Sequence, residues 1–501
     1  MLLGLLTACE EDEENIPPVP SSEKELLAFS FQAQHNPSSL ERDLTFAVHD
    51  NHVNVMFPIG LRTDSLVASF GSSATVVTID SVEQYSDSTA NDFTQPVTYT
   101  LMAEDSSTAD YEIRRHTSTG VPVVYIETEG QTPITSKDYY LNGRITIIAN
   151  EQGEENISQA DIEIRGRGNT TWKASKKPYK IRFDKRTDVL GMPKHKVWVL
   201  LANYSDKTLL RNHLAFELSR RFGLTYTPRS RFVDLYLNGV YRGNYQLTEQ
   251  IKVDESRLDI DELDAGDNGE DQITGGYLLE IDGRKDEDER FTSAQGVRFA
   301  IRSPEEGSSE QFAYIKDYLQ ATEDALFADT FADAEQGYAR YIDVESFIDW
   351  YLLNELAKNT DAKFANSVYL HKPRGGKLTM GPVWDYDIGM GNVDYSPGRF
   401  TEGWYIREAS WSRRLFQDPA FEQQTKARWQ ELKPQVESVI ATIDQQAASL
   451  EQSQQRNFKT WKILGYKVWP NPVATGSYAG EVAYLKNWLT KRMLWMNSEL
   501  E

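Results

Sequence analysis

Apolar and polar positions alternate in short runs from residue 25 to about 117. Seven segments, LLAFSFQ, LTFAVHD, HVNVMFPIG, LVASFG, ATVVTID, VTYTLMAED and DYEIRRH, are rich in Val, Thr, Phe and Tyr and bounded by Gly, Ser, Asn or Asp. A period of two marks a half-buried strand, and seven such runs predict a small β-sandwich. After STGVPVVYIETEG the pattern changes. Residues 118 to about 300 mix strand-like runs with one helical segment, LLRNHLAFELSRRFGL, for which Ser205 or Asp206 is the candidate N-cap and Gly223 the stop. From about 301 to 501 apolar residues recur mostly at helical spacing, as in AGEVAYLKNWLTKRMLWMNSELE. Two hairpins stand out. RFVDLYLNGVYRGNYQLTEQI turns at Asn238-Gly239, and NSVYLHK with KLTMGPVWD turns at PRGG. The expected fold class is α+β: a β-sandwich over 25–117, then a domain over 118–501 that is β-rich to about 300 and helical beyond. No internal repeat is visible.

Composition narrows the function class. Of 501 residues, 76 are Asp or Glu and 53 Lys or Arg, a net charge of −23. Gripping a nucleic-acid backbone needs a basic face, so no nucleic-acid partner is expected. The single cysteine excludes a disulfide framework. It stands in MLLGLLTAC, an apolar run too short to span a bilayer, followed at once by EEDEEN. Leu-x-small-Cys in this position resembles a bacterial lipobox, which makes Cys9 the lipidation site and residues 1–24 a signal remnant with a flexible tether. The acidic start resembles those of surface-exported lipoproteins of Bacteroidetes-like bacteria. The membrane is then reached through a lipid anchor only, at the outer membrane or cell surface.

The chemistry concentrates in TDAKFANSVYLHKPRGGKLTMGPVWDYDIGMGN, residues 360–392. The helical pattern of YIDVESFIDWYLLNELAKNT runs out just before Asp361, which leaves that carboxylate on a loop. Asn366 follows five residues later, the hairpin comes next, and Asp385 ends its second strand. An Asp that orients a hydroxyl, with an Asn and a second Asp that hold a divalent metal against nucleotide phosphates, is the kit of phosphoryl transfer. Asp387 lies two residues on, so a continuing strand would put both carboxylates on one face. Positive charge comes from DIEIRGRGNTTWKASKKPYKIRFDK. Arg165 and Arg167 flank Gly166, while Tyr179, Ile181 and Phe183 alternate with Lys180 and Arg182. Lys177 and Lys180 compete for the phosphate-gripping role. Glu217 on the following helix is the candidate partner of that lysine, Arg211 and Asn212 near its start are equal candidates for a role in the site, and Glu249 could close the site at the end of the first hairpin.

These stretches together resemble the CotH (spore coat protein H) kinase family. The likeness lies in IRGRGNTTWKASKKPYKIRF, LLANYSDKTLLRN, YLNGVYRGNYQLTEQI, GGYLLEID, NSVYLHK…GPVWDYDIGMGN and EVAYLKNWLTKRMLWMN, in order across roughly residues 119–500. The resemblance implies an atypical, two-lobed, protein-kinase-like domain that binds ATP with Mg²⁺, with Mn²⁺ or Ca²⁺ as alternatives. It implies transfer of the γ-phosphoryl group to Ser or Thr of an unidentified secreted or surface protein. By position, Asp361 matches the catalytic-loop Asp, Asn366 the metal Asn and Asp385 the metal Asp; Ser367 stands where many members carry an aromatic residue. The region before it resembles the Ig-like domains of surface lipoproteins. The alternative reading is a surface binding module, for glycan or a partner protein, that keeps the fold without phosphoryl transfer.

Overall fold

The computed structural model describes residues 20–501 except Ala47, Asp50, Ile59, 151–153 and 284–289. Cys9 and most of the tether lie outside the described residues. The chain divides into two units between Ser118 and Thr119.

In the first unit the seven alternating runs fall on strands. Leu44–Phe46, Leu26–Phe31 and Ser69–Ser72 make one sheet, and six strands from Val48–His49 to Val82–Glu83 make another. Inward residues of both, among them Phe29, Phe31, Val55, Phe57, Tyr99 and Ile113, form one buried core. The 11-residue strand Thr108–Ser118 pairs in parallel with His52–Pro58, a pairing that alternation alone does not reveal.

The second unit begins with a closed barrel. Its seven strands are Val123–Thr128, Leu141–Ile148, Ile157–Gly166, Tyr179–Val189, Met192–Leu201, Val240–Glu249 and Ser230–Leu237 in spatial order, and the last pairs in parallel with the first. Closure leaves no free edge. Ile162, Ile164, Ile181, Phe183, Trp198, Leu200, Leu235 and Leu247 belong to the buried core that fills the interior. Asn238 and Gly239 carry φ of 50° and 73°, the left-handed pair that a tight two-residue hairpin requires.

Five strands from Arg290–Thr292 to Thr379–Met380 then form a separate sheet, with Tyr277–Ile281 between Arg298–Ser303 and Val368–Lys372. The division expected near residue 300 therefore falls inside one strand, because the hairpin after Asn366 completes a sheet begun at Tyr277. The helix Val344–Ala357 is buried on every side from Phe347 onward, so it is the central element of the helical part rather than an amphipathic surface helix. Asp343 caps its start, accepting from the Ser346 N–H at 2.8 Å, and Lys358 ends it in the left-handed conformation. Glu355 anchors the helix. Its buried carboxylate accepts from Arg492 Nη2 at 2.7 Å and from the N–H groups of Tyr405, Ile406 and Arg407 at 2.8–2.9 Å. Among the described residues, no helix is long and apolar enough to cross a membrane.

Candidate active site

Asp361 is half-buried on the loop that leaves this central helix. Its carbonyl accepts from the N–H groups of Ala365 at 3.3 Å and Asn366 at 3.2 Å, which closes the loop into a turn. Asp385 does not end a strand. The second limb of the hairpin stops at Met380, and Asp385 lies on an irregular segment with φ of 68°. That strained backbone is held from outside: Asn359 Nδ2 donates to the Asp385 carbonyl at 3.3 Å, and Asn212 Oδ1 accepts from the Tyr386 N–H at 2.8 Å. Asp385 and Asp387 still come together, through this turn and not through strand alternation.

Asp387 is buried, and its carboxyl is pushed well above the usual range by burial and then by Asp385, Asp206 and Asp361. It hydrogen-bonds Asp385, and Ser205 Oγ lies 3.5 Å from its Oδ2. The other members of this cluster have different duties. Asp206 is fully enclosed and saturated, accepting from the Arg211 N–H, the Arg211 guanidinium and both Thr208 donors. Arg211 also donates to the Gly389 carbonyl at 3.2 Å, so it positions the loop that carries Asp387 rather than facing a ligand. Gly391 has φ of 79°, and a Cβ there would sit 2.5 Å from the Trp488 ring.

Asn366 Oδ1 accepts from the Gly283 N–H at 3.1 Å, and the next residue, Ser367, reaches Asp385, Oγ to Oδ2, at 3.3 Å.

Positive charge gathers on the outer face of the barrel. Arg165 and Lys180 are direct cross-strand partners, a like-charge pair that repels. Burial, then Lys252, Arg165 and Arg167, pull the Lys180 ammonium down to about 7. The Arg167 guanidinium lies over the ring of Trp384, 5.4 Å from its centroid, and Trp384 immediately precedes Asp385. The cationic strands and the acidic turn therefore meet.

Several expected roles are corrected. Lys177 donates to the Trp172 carbonyl at 2.5 Å and lies against that ring, so its ammonium is spent inside its own loop. Glu217 binds Arg220 at 3.0 Å and Arg221 at 2.7 Å one turn along its own helix, which leaves it no lysine to orient. Glu249 is wholly buried with Arg229, Tyr226 and the Arg229 N–H as donors, so it ties the hairpin to the following loop. Arg165 donates to the Lys137 carbonyl and lies over Tyr140. Sequence reasoning missed Asn359, Asn392 and Asn471, and it read Ser205 only as a candidate helix cap. The first two sit within the motifs already singled out, where a polar residue in an apolar run is a usable signal. Asn471, which donates to the Ser205 carbonyl at 2.7 Å, lies in WPNPVATG and gives none.

Residues 164–496 match the family model described as CotH kinase protein. The chain belongs to the CotH kinase family. Residues 39–114 match a second model, described as SGBP, N-terminal, which agrees with a surface-associated protein. No curated protein matches the chain. Among solved structures, a candidate glycoside hydrolase from Bacteroides thetaiotaomicron is similar at 16% identity over 37% of this chain and 54% of its own, with a TM-score of 0.20. The CotH match covers the acidic turn, the cationic strands and the central helix, whereas Cys9 and the tether lie before both matched regions.

Proposed function

We propose that the CotH domain is an extracytoplasmic kinase that transfers the γ-phosphoryl group of ATP to a Ser or Thr hydroxyl of a secreted or surface protein. One observation carries this reading: Arg167 stacks on Trp384, so a cluster of cations abuts the turn on which Asp385 and Asp387 converge. In this reading the barrel acts as one lobe over the nucleotide and the helical part as the other. Lys180, with Arg167 nearby, faces the phosphates, whose negative charge would relieve its cross-strand repulsion from Arg165. Asp361 orients the acceptor hydroxyl.

The donor set fits a hard divalent cation such as Mg²⁺. Burial first, then the neighbouring carboxyls, raises the Asp387 carboxyl, and a cation held by Asp385 and Asp387 would offset that repulsion. Among the described residues no group of three or more His, Cys, Asp or Glu forms a complete metal cage. Mg²⁺ in nucleotide sites needs none, since one or two carboxylates suffice when phosphate oxygens complete the shell. Asp385 and Asp387 would hold it, and bound metal would neutralise charge on the phosphate oxygens. Lipidation at Cys9 would place the enzyme at the cell surface.

The test is a thermal melt with ATP and MgCl₂, then labelled-ATP transfer to candidate envelope proteins. The melt rises in the wild type and not in Asp385→Ala, and transfer falls on the order of 100-fold or more in Asp385→Ala and in Asp361→Asn. A melt that ATP and Mg²⁺ leave unmoved removes the kinase reading in favour of a binding module.

A further inference from the structure

Exposed aromatic side chains are unevenly distributed in the CotH unit. Among its described residues seven large hydrophobic side chains are exposed, and four of these, Tyr395, Phe400, Tyr466 and Trp469, fall in two short segments. The first segment follows the acidic turn in the chain, and the second is held beside the residues around it. Lys207 donates to the Tyr466 carbonyl at 2.7 Å, and Asn471 donates to the Ser205 carbonyl and to Asn392 Oδ1 at 2.9 Å. Tyr395 and Trp469 come from different segments yet lie parallel, centroids 5.7 Å apart and planes 6° apart. They remain 52% and 58% exposed. The Tyr395 hydroxyl is pushed up to about 12 by burial, then by Asp361, Tyr405, Asp387 and Asp394, so it stands at the edge of the acidic cluster.

Bare, parallel rings beside a reaction site attract an apolar face. Lys363 already covers Tyr405 and Arg399 already covers Phe400, at 4.6 Å and 4.5 Å from the ring centroids. Among the described residues no cation of the chain stacks on Tyr395 or Trp469. With a divalent ion at Asp385 and Asp387, these cations and that ion largely offset the carboxylates, so the rim gains little from a charged ligand. The Asp361 and Asp394 carboxyl groups near Tyr395 offer acceptor oxygens, and the Tyr395 hydroxyl both accepts and donates. A ligand that fits has an apolar face edged with O–H donors, and a sugar ring has both.

We infer that Tyr395 and Trp469 form a subsite for a neutral saccharide ring whose hydroxyls donate to Asp394 and toward Asp361. The stacking rests on geometry alone; that this saccharide belongs to the phosphoryl acceptor rests on the kinase reading above.

The probes are cellohexaose, maltohexaose, xylohexaose and mannohexaose, with a sugar-free Ser- and Thr-rich peptide as the contrast. Binding to the full chain is read by tryptophan fluorescence and calorimetry. At least one oligosaccharide binds, and its affinity falls tenfold or more in Tyr395→Ala and in Trp469→Leu, each with a wild-type circular dichroism spectrum. Tyr139→Ala, an exposed aromatic in the barrel region, leaves it unchanged. The inference falls if none of the four binds, if binding survives both substitutions, or if only the peptide engages the pair. The ATP and Mg²⁺ melt of the wild type, run alongside, separates the two claims. An intact shift without saccharide binding removes this inference alone, and saccharide binding without a shift removes the kinase reading alone.

Discussion

Glu355 and Asp387 are both enclosed carboxyls in the helical part of the CotH domain, and their surroundings differ in kind. Glu355 meets a guanidinium and three backbone N–H groups, every one a donor. Asp387 meets three other carboxylates, with Ser205 as a distant donor. The first arrangement is complete and fixes the central helix. The second is incomplete, because like charges side by side repel until a proton or a cation offsets them. Burial alone does not separate structure from function here; the sign of the neighbours does.

Breaking the complete site should have the largest effect. Arg492→Met strands the Glu355 carboxylate in the interior and should lower stability by roughly 3–5 kcal/mol, read by urea denaturation. Adding Glu355→Gln should recover part of that loss, which a purely steric role for Arg492 would not allow. Removing a cation from the incomplete side should act on ligand and not on fold. Lys180→Met should raise the KM for ATP about tenfold while leaving the melting temperature equal or higher, because the cross-strand partner Arg165 loses a like charge.

Two pH profiles sharpen the contrast further. Between the ordinary carboxyl range and its raised folded value, Asp387 holds a proton that the unfolded chain has released, so stability falls as pH rises through that window. Asp387→Asn should flatten this fall in melts from pH 4 upward and should also abolish the ATP and Mg²⁺ shift. Lys176 gives the opposite sign. It is buried against Tyr245, donates to Asn457 Oδ1 at 2.9 Å, and burial lowers its ammonium to about 7 from 10.5. Between those values the unfolded chain holds the extra proton, so stability rises with pH. Lys176→Met should remove that rise, the smallest of these effects, measured as the change in melting temperature from pH 7 to 9.

The two lysines also show how far the sequence could be read. Lys180 was legible, because alternation with Tyr179, Ile181 and Phe183 puts it on the outer face of its strand, and that is where it lies. Lys177 read equally well and is spent on the Trp172 carbonyl, a contact set by how the short loop folds back. Glu217 read as a lysine partner because it lies on the right helix, but its carboxylate pairs with Arg220 and Arg221 on that same helix. Asn366 stands at the expected spacing, and its Oδ1 also accepts from the Gly283 N–H, just past the end of the neighbouring strand, a contact the spacing does not reveal.

The sequence by itself determined the strands and helices, the turn at Asn238-Gly239, the charged face of the Tyr179–Val189 strand, and the loop that follows the central helix. All of these depend on periodicity and on the conformational limits of single residues, which are local. Tertiary structure alone decided that the barrel closes, that Asp385 turns through a positive φ to meet Asp387, that Arg167 lies on Trp384, and that Tyr395 finds Trp469. Each of those joins segments tens of residues apart or more, or depends on one that does, and a contact between distant segments is selected by packing, not by the pattern of either segment.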